Sequence, residues 1–201
     1  MISKSYQIEN NNKFFLDNNC ILFYGDNLGL RRDFKKIIKK LNQKFLIVDL
    51  DQEQILKDIN IFITELTNLS LFSEKKIIFI ENTTDKILKI LEEYEEKILV
   101  NKVILFADIL DKKSKLRNYF EKSSKLQTVA CYPDNEISLK KIISNRLNGF
   151  QNLSHENVRL ILEKSNLDRI KLYNEIDKIL IFFQNKILDK KKLEILLDAN
   201  I

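Results

Sequence analysis

A chain of 201 residues that is 44% apolar and 31% charged can bury a core and has length for one larger domain and a small one, which excludes a disordered polymer. Three glycines, one proline and no tryptophan leave little material for long irregular loops, so helix should dominate. The formal net charge of +5 suits an acidic polymer or an acidic protein face, although excess lysines are most often solvated.

No apolar run approaches the ~20 residues that span a bilayer, and the stretch from Met1 to Asn12 lacks the apolar core of a secretion signal. A cytosolic protein is expected. In chain order, short apolar runs at Ile21 to Tyr24, Phe45 to Val48, Ile77 to Ile80, Val103 to Phe106 and Leu126 to Ala130 read as strands covered on both faces. Between the first two, Leu30, Phe34, Ile37, Ile38 and Leu41 fall at helical spacing, and Ile55, Ile59, Phe62 and Leu66 do so between the next two. Ile87, Ile90, Leu91 and Tyr94 follow Thr84, an expected N-cap, and Leu116, Tyr119 and Phe120 supply a shorter fourth crossover.

This alternation predicts an α/β domain: a five-stranded parallel sheet wrapped by helices through right-handed crossovers, with functional loops at the carboxyl ends of the strands. Cys20 opens one predicted strand and Cys131 follows another, so parallel neighbours would hold them at opposite edges as inert thiols. After Pro133 the pattern is helical throughout. Leu139, Ile142, Ile143 and Leu147 share a face, and Gly149 marks a stop. Ser154 caps a short helix carrying Val158, Ile161 and Leu162, a longer helix runs through Leu172, Ile176, Ile179, Leu180 and Phe183, and the last covers Asp189 to Ala199. The expected organisation is an α/β domain over 1–135 and a helical domain over 136–201.

The turn after the first strand, from Gly25 to Arg32, stands where a nucleotide-binding α/β domain places its phosphate loop. Such a loop needs a second glycine five residues after the first, then Lys and Ser or Thr, so that amides, an ammonium and a metal-binding hydroxyl meet the phosphates. Those positions hold Leu30, Arg31 and Arg32. The site therefore reads as degenerate, although an anion beside the two arginines is chemically reasonable at a helix N-terminus. Magnesium-assisted hydrolysis also wants an Asp-Glu pair after a buried strand, and the third strand is followed by Glu81 and Asn82. Asp108 reads as a loop carboxylate, and the single histidine, His155, as an exposed first-turn residue. Triads and zinc sites are excluded by count. No catalytic residue, metal or cofactor is expected.

Thr67 to Ser73 follows a complete amphipathic helix. Adjacent helical residues point ~100° apart, so Leu69, Leu71 and Phe72 do not all continue the buried stripe. Each side chain that projects would contribute roughly 1.5 to 3 kcal/mol when buried in a partner's pocket.

In order and spacing, ILFYGDNLGL, NLSLFSEKKIIFIEN, VILFADILDKKSKLRNYFEK, VACYPDNE and LDRIKLYNEIDKIL resemble the delta subunit of the bacterial DNA polymerase III clamp loader over nearly the whole chain. The resemblance implies an AAA+-like fold with a three-helix lid that does not use ATP. It also implies an apolar tip, Leu69, Leu71 and Phe72, that binds and opens the sliding clamp during replication beside the other clamp-loader subunits. Delta subunits normally carry a further helical collar, which is expected to be absent here. Two alternatives stay open: an ATPase motor subunit of a loader, and direct contact with DNA through Lys112, Lys113, Lys115 and Arg117.

Overall fold

In the structure, a computed structural model that describes residues 2–9, 11–67 and 75–199, strands and helices alternate along the first of two units, Met1–Tyr132. Its elements in chain order are β1 (Ile2–Lys4), α1 (Ser5–Ile8), α2 (Asn12–Asp17), β2 (Cys20–Tyr24), α3 (Leu28–Leu41), β3 (Leu46–Asp51), α4 (Gln52–Lys57) and α5 (Ile59–Thr67). There follow β4 (Lys76–Glu81), a 3-10 turn (Asp85–Ile87), α6 (Leu88–Glu93), α7 (Glu95–Val100), β5 (Lys102–Ala107), α8 (Lys115–Lys122) and β6 (Gln127–Ala130). The strands form one sheet in the order β1-β6-β2-β5-β4-β3, with every pairing parallel.

Because side chains alternate across a strand, the sheet sorts its apolar residues onto two faces. Leu22, Tyr24, Ile78, Ile80, Val103 and Leu105 pack with Ile55, Phe62, Leu91, Ile98, Leu116 and Phe120 from α4 to α8. Ile21, Phe23, Phe79, Ile104 and Phe106 pack with Phe15 of α2 and Leu30, Phe34 and Ile38 of α3. On that second face Phe34 stacks on Phe23 at 4.9 Å, Phe23 on Phe106 at 5.3 Å and Phe106 on Phe79 at 6.0 Å, a row that crosses three adjacent strands and welds α3 to them. β3 forms an outer edge, and Asp49 on it pairs with Lys35 and Lys39 of α3, charges that discourage pairing with another strand.

Helix starts follow local chemistry. Asn27 accepts from the Leu30 amide to begin α3, Asp51 and Gln54 form a reciprocal capping box on α4, and Ser114 caps α8. The Lys102 ammonium, buried by its neighbours, donates to the Phe15 and Asn18 carbonyls at 2.5 and 3.1 Å and closes the end of α2.

The second unit, Pro133–Ile201, holds α9 (Glu136–Arg146), α10 (His155–Ser165), α11 (Arg169–Phe182) and α12 (Lys190–Asp198). Its core is its own, built from Leu139, Ile143, Ile161, Leu172, Ile176 and Leu193. Asn135, Ser154, Asp168 and Asp189 each cap the helix that follows them.

The α/β architecture is the one expected, with three differences in detail. The sheet has six strands rather than five, because the three-residue β1 adds to β6 at Ile2↔Thr128; so short a segment carries no readable period. Thr84 caps a 3-10 turn, and the helix expected beyond it is broken at Tyr94 into α6 and α7. The helical unit has four described helices, all visible in the periodicity, where the resemblance implied a three-helix lid. Among the described residues, no helix is long and apolar enough to cross a membrane.

Candidate functional site

The carboxyl ends of β2, β5, β4 and β3 line up along one edge of the sheet, where a parallel α/β domain presents its functional loops. At β2 the chain turns into α3 through Gly25, Asp26 and Asn27 alone. Gly25 has φ +134°, and a Cβ there would stand 2.3 Å from the Cys131 carbonyl oxygen, so backbone meets backbone with no room for a side chain.

Four amides of this turn and of the start of α3 are engaged internally. Gly25 N–H donates to the Asp108 carbonyl at 3.1 Å, Asn27 N–H to the Cys131 carbonyl at 3.1 Å and Leu28 N–H to the Asp26 carbonyl at 3.0 Å. Leu30 N–H donates to Asn27 Oδ1 at 2.9 Å, and the Asn27 side-chain amide donates to the Tyr132 carbonyl at 3.1 Å. A phosphate loop works by presenting such amides outward to an anion. Here those of Gly25 and Asn27 hold the ends of β5 and β6, and those of Leu28 and Leu30 close the turn on itself.

The side chains of Leu30, Arg31 and Arg32 are divided. Leu30 is core. Arg31 is buried, and its guanidinium donates to the exposed Asp108 carboxylate at 2.6 Å. Arg32 is exposed.

At the end of β4, Glu81 Oε1 accepts from Lys35 Nζ at 2.6 Å, and the same ammonium reaches Asp49 at 2.7 Å. Burial alone would push the Lys35 ammonium down, but the bonds to Asp49 and Glu81 hold it above its ordinary value. Asn82 adopts the left-handed conformation at φ 57° and donates to Asp51 Oδ2 at 2.6 Å. Glu81 at the end of β4 and Asn82 after it are thus bound into the scaffold by a lysine and an aspartate, neither of which apolar periodicity could single out. The shared spacing of Arg31, Lys35 and Lys39 on α3 was the available signal.

Beside them lies an open cleft of about 1210 Å³ lined by Asp51, Asn82, Asp85, Ile109, Asp111 and Lys113, among others. Asp85 ties its floor together: its carboxylate accepts from Ser114 Oγ at 2.6 Å, Leu116 N–H at 2.9 Å and Lys115 N–H at 3.0 Å. Partial burial raises that carboxyl, but these three donors outweigh it and hold it below the usual carboxylate range. Lys112, Lys113 and Lys115 are exposed, with Asp85 and Asp111 interleaved among their backbone amides. Arg117 is turned inward: it donates to Glu121 at 2.6 Å and to the Leu110 carbonyl at 3.1 Å, and lies 4.9 Å over the Tyr24 ring.

At the other edge, α5 leads toward β4. Leu69, Leu71 and Phe72 lie outside the described residues. Their flanks are anchored, Lys76 to Glu65 at 2.9 Å and the Asn101 side chain to the Leu66 carbonyl at 3.2 Å. Cys20 and Cys131 are buried free thiols at opposite edges of the neighbouring strands β2 and β6, and burial pushes the Cys20 thiol up, away from reactivity. His155 is exposed at the start of α10.

No known family profile matches this chain, and no curated protein does. Solved structures do. A Bacillus subtilis DNA clamp loader delta protein superposes with TM-score 0.61 at 14% identity over 96% of this chain and 62% of its own length. A Thermotoga maritima RuvB Holliday junction branch migration motor gives TM-score 0.61 at 14% identity, covering 96% of this chain and 68% of that one. Domain III of the Thermotoga maritima replication initiation protein DnaA gives 0.51 at 16% identity, covering 96% and 88%. This chain therefore spans about 62% of the length of the delta protein, and at such identities the shared property is the fold, which is AAA+-like.

Proposed function

We propose that this chain is a clamp-loader subunit of the delta type, which grips and opens a sliding clamp through Leu69, Leu71 and Phe72 and hydrolyses no ATP. The observation that carries the reading is the three-residue turn at Gly25, where a phosphate loop would stand, whose Gly25 and Asn27 amides serve the ends of β5 and β6 instead. Arg31 held by Asp108 and Glu81 held by Lys35 support it, since these two side chains are committed to the domain. The likeness to the Bacillus subtilis delta protein supports it as well.

An apolar tip acts by affinity alone. It opens a ring only by binding the open form more tightly than the closed one, and the shift in population follows that difference. The other loader subunits would supply the ATP-driven step that exposes or hides the tip. No metal, nucleotide or other cofactor is required of this chain.

The test is capture of the cognate clamp on a sizing column. Leu71→Ala with Phe72→Ala should abolish co-elution while the circular dichroism spectrum stays that of the parent. Unchanged capture by the double variant overturns the site. Stoichiometric, tight binding of magnesium-ATP in a calorimeter overturns the non-hydrolysing role and favours a motor subunit.

A further inference from the structure

The helix α3 carries six cations between Arg31 and Lys40, and they fall into two adjacent rows, the members of each about one turn apart along the axis. The inner row is satisfied by the sheet: Arg31 by Asp108, Lys35 by Glu81 and Asp49, Lys39 by Asp49. The outer row, Arg32, Lys36 and Lys40, is exposed, and among the described residues it has no carboxylate partner. The only acid within the helix, Asp33, is half-buried and already engaged. Like charges at four-residue spacing destabilise a helix, so the fold neutralises one row and leaves the other as a bare line of positive charge.

The chemistry of that line selects its partner. Its three charges are ~6 Å apart, four residues at 1.5 Å rise, on a helix held rigid by the stacked Phe34, Phe23 and Phe106. No aromatic side chain stands between them, and the single aromatic of α3, Phe34, is fully buried. A protein interface would want aromatic anchors and is depleted in lysine at its core, while a single nucleic-acid strand would want stacking platforms. A row of exposed cations without either is what contact with phosphates alone uses. We infer that the outer face of α3 is a sequence-independent contact for the backbone of duplex DNA, with Arg32, Lys36 and Lys40 each neutralising a phosphate. This contact is distinct from the lysines at 112, 113 and 115, which are interleaved with Asp85 and Asp111, and it does not depend on the clamp tip.

Anisotropy titration of a short fluorescein-labelled duplex of mixed sequence, repeated between about 50 and 200 mM salt, tests it. Arg32→Gln with Lys36→Gln and Lys40→Gln should make the slope of log affinity against log salt shallower by about 2.7, at about 0.9 per phosphate contact. Lys36→Gln alone should remove about 0.9 of it. Lys112→Gln with Lys113→Gln and Lys115→Gln removes as much charge from an exposed site and should leave the slope near that of the parent. Leu71→Ala with Phe72→Ala should not change it, so loss of the clamp reading and loss of this one are separable. Equal losses in the two lysine-rich triples would mean general charge attraction and overturn the inference, as would an unchanged slope in the α3 triple. A parent protein that fails to bind the duplex at about 50 mM salt overturns it in favour of an acidic protein face. Tighter binding to the single strand than to the duplex overturns the choice of duplex.

Discussion

At the scale of single residues, the turn after β2 was legible as lacking the side chains of a phosphate loop, while the way it is closed was not. Leu30, Arg31 and Arg32 stand where glycine, lysine and a hydroxyl would be needed, and that much is read from identity and spacing. The groups that shut the turn are backbone carbonyls of Asp108 and Cys131, delivered by β5 and β6 from far along the chain, and no local pattern announces them. Gly25 concentrates that closure. Gly25→Ala forces a Cβ against the Cys131 carbonyl at a φ that L residues rarely adopt, and is expected to cost about 2 to 3 kcal/mol. The check is a lowered urea midpoint at unchanged slope. An alanine variant as stable as the parent would mean that the turn is looser than its hydrogen bonds imply.

At the scale of elements, strands and helices buried on a regular period were readable, and those made by partners distant in sequence were not. β2, β4 and β5 appear as apolar runs because both faces are covered, and α3 as a stripe because Leu30, Phe34 and Ile38 face the sheet. β1 is only three residues long, and the break at Tyr94 divides a continuous helical pattern. Arg117 belongs to a sequence of cations that reads as one basic surface, yet it packs on Tyr24 and Glu121, because an arginine stem buries readily when its guanidinium finds a carboxylate. The start of α8 depends on such a distant group, since Asp85 supplies the carboxylate that its first amides need. Asp85→Asn should cost about 1 to 2 kcal/mol at neutral pH. Its carboxyl is held below the ordinary range in the folded protein, so the stabilisation is complete above the unfolded value and is lost as pH falls through the folded one. Urea melts of parent and variant should therefore differ most above about pH 5 and converge in stronger acid. A difference that persists unchanged at the acid end would show that the carboxylate charge is not what holds α8.

At the scale of the whole molecule, the change of pattern at Pro133 is where one core ends and another begins, and each unit is stabilised by residues of its own. In the helical unit, Asp134 and Arg169 form a buried bidentate pair, with Nε to Oδ2 at 2.8 Å and Nη2 to Oδ1 at 2.6 Å, both side chains 4% exposed, and Ser138 Oγ donates to the same carboxylate at 2.7 Å. The pair fastens the start of α11 to the segment that leads into α9, two elements that periodicity shows only as separate helices. Such a pair adds little over a well-packed apolar substitute, but breaking it leaves a buried guanidinium uncompensated, at a cost of about 3 to 5 kcal/mol. Asp134→Asn should therefore unfold the helical unit first. Hydrogen exchange should quicken across α9 to α12 while the amides of β2 and β5 keep their protection, and thermal melting should separate into two steps. Since the proposed clamp contact is carried by the α/β unit, clamp capture should survive this variant at temperatures where the helical unit is open. If β2 and β5 lose protection together with α11, the two cores do not act as separate cooperative units, and the clamp contact cannot be assigned to the α/β unit alone.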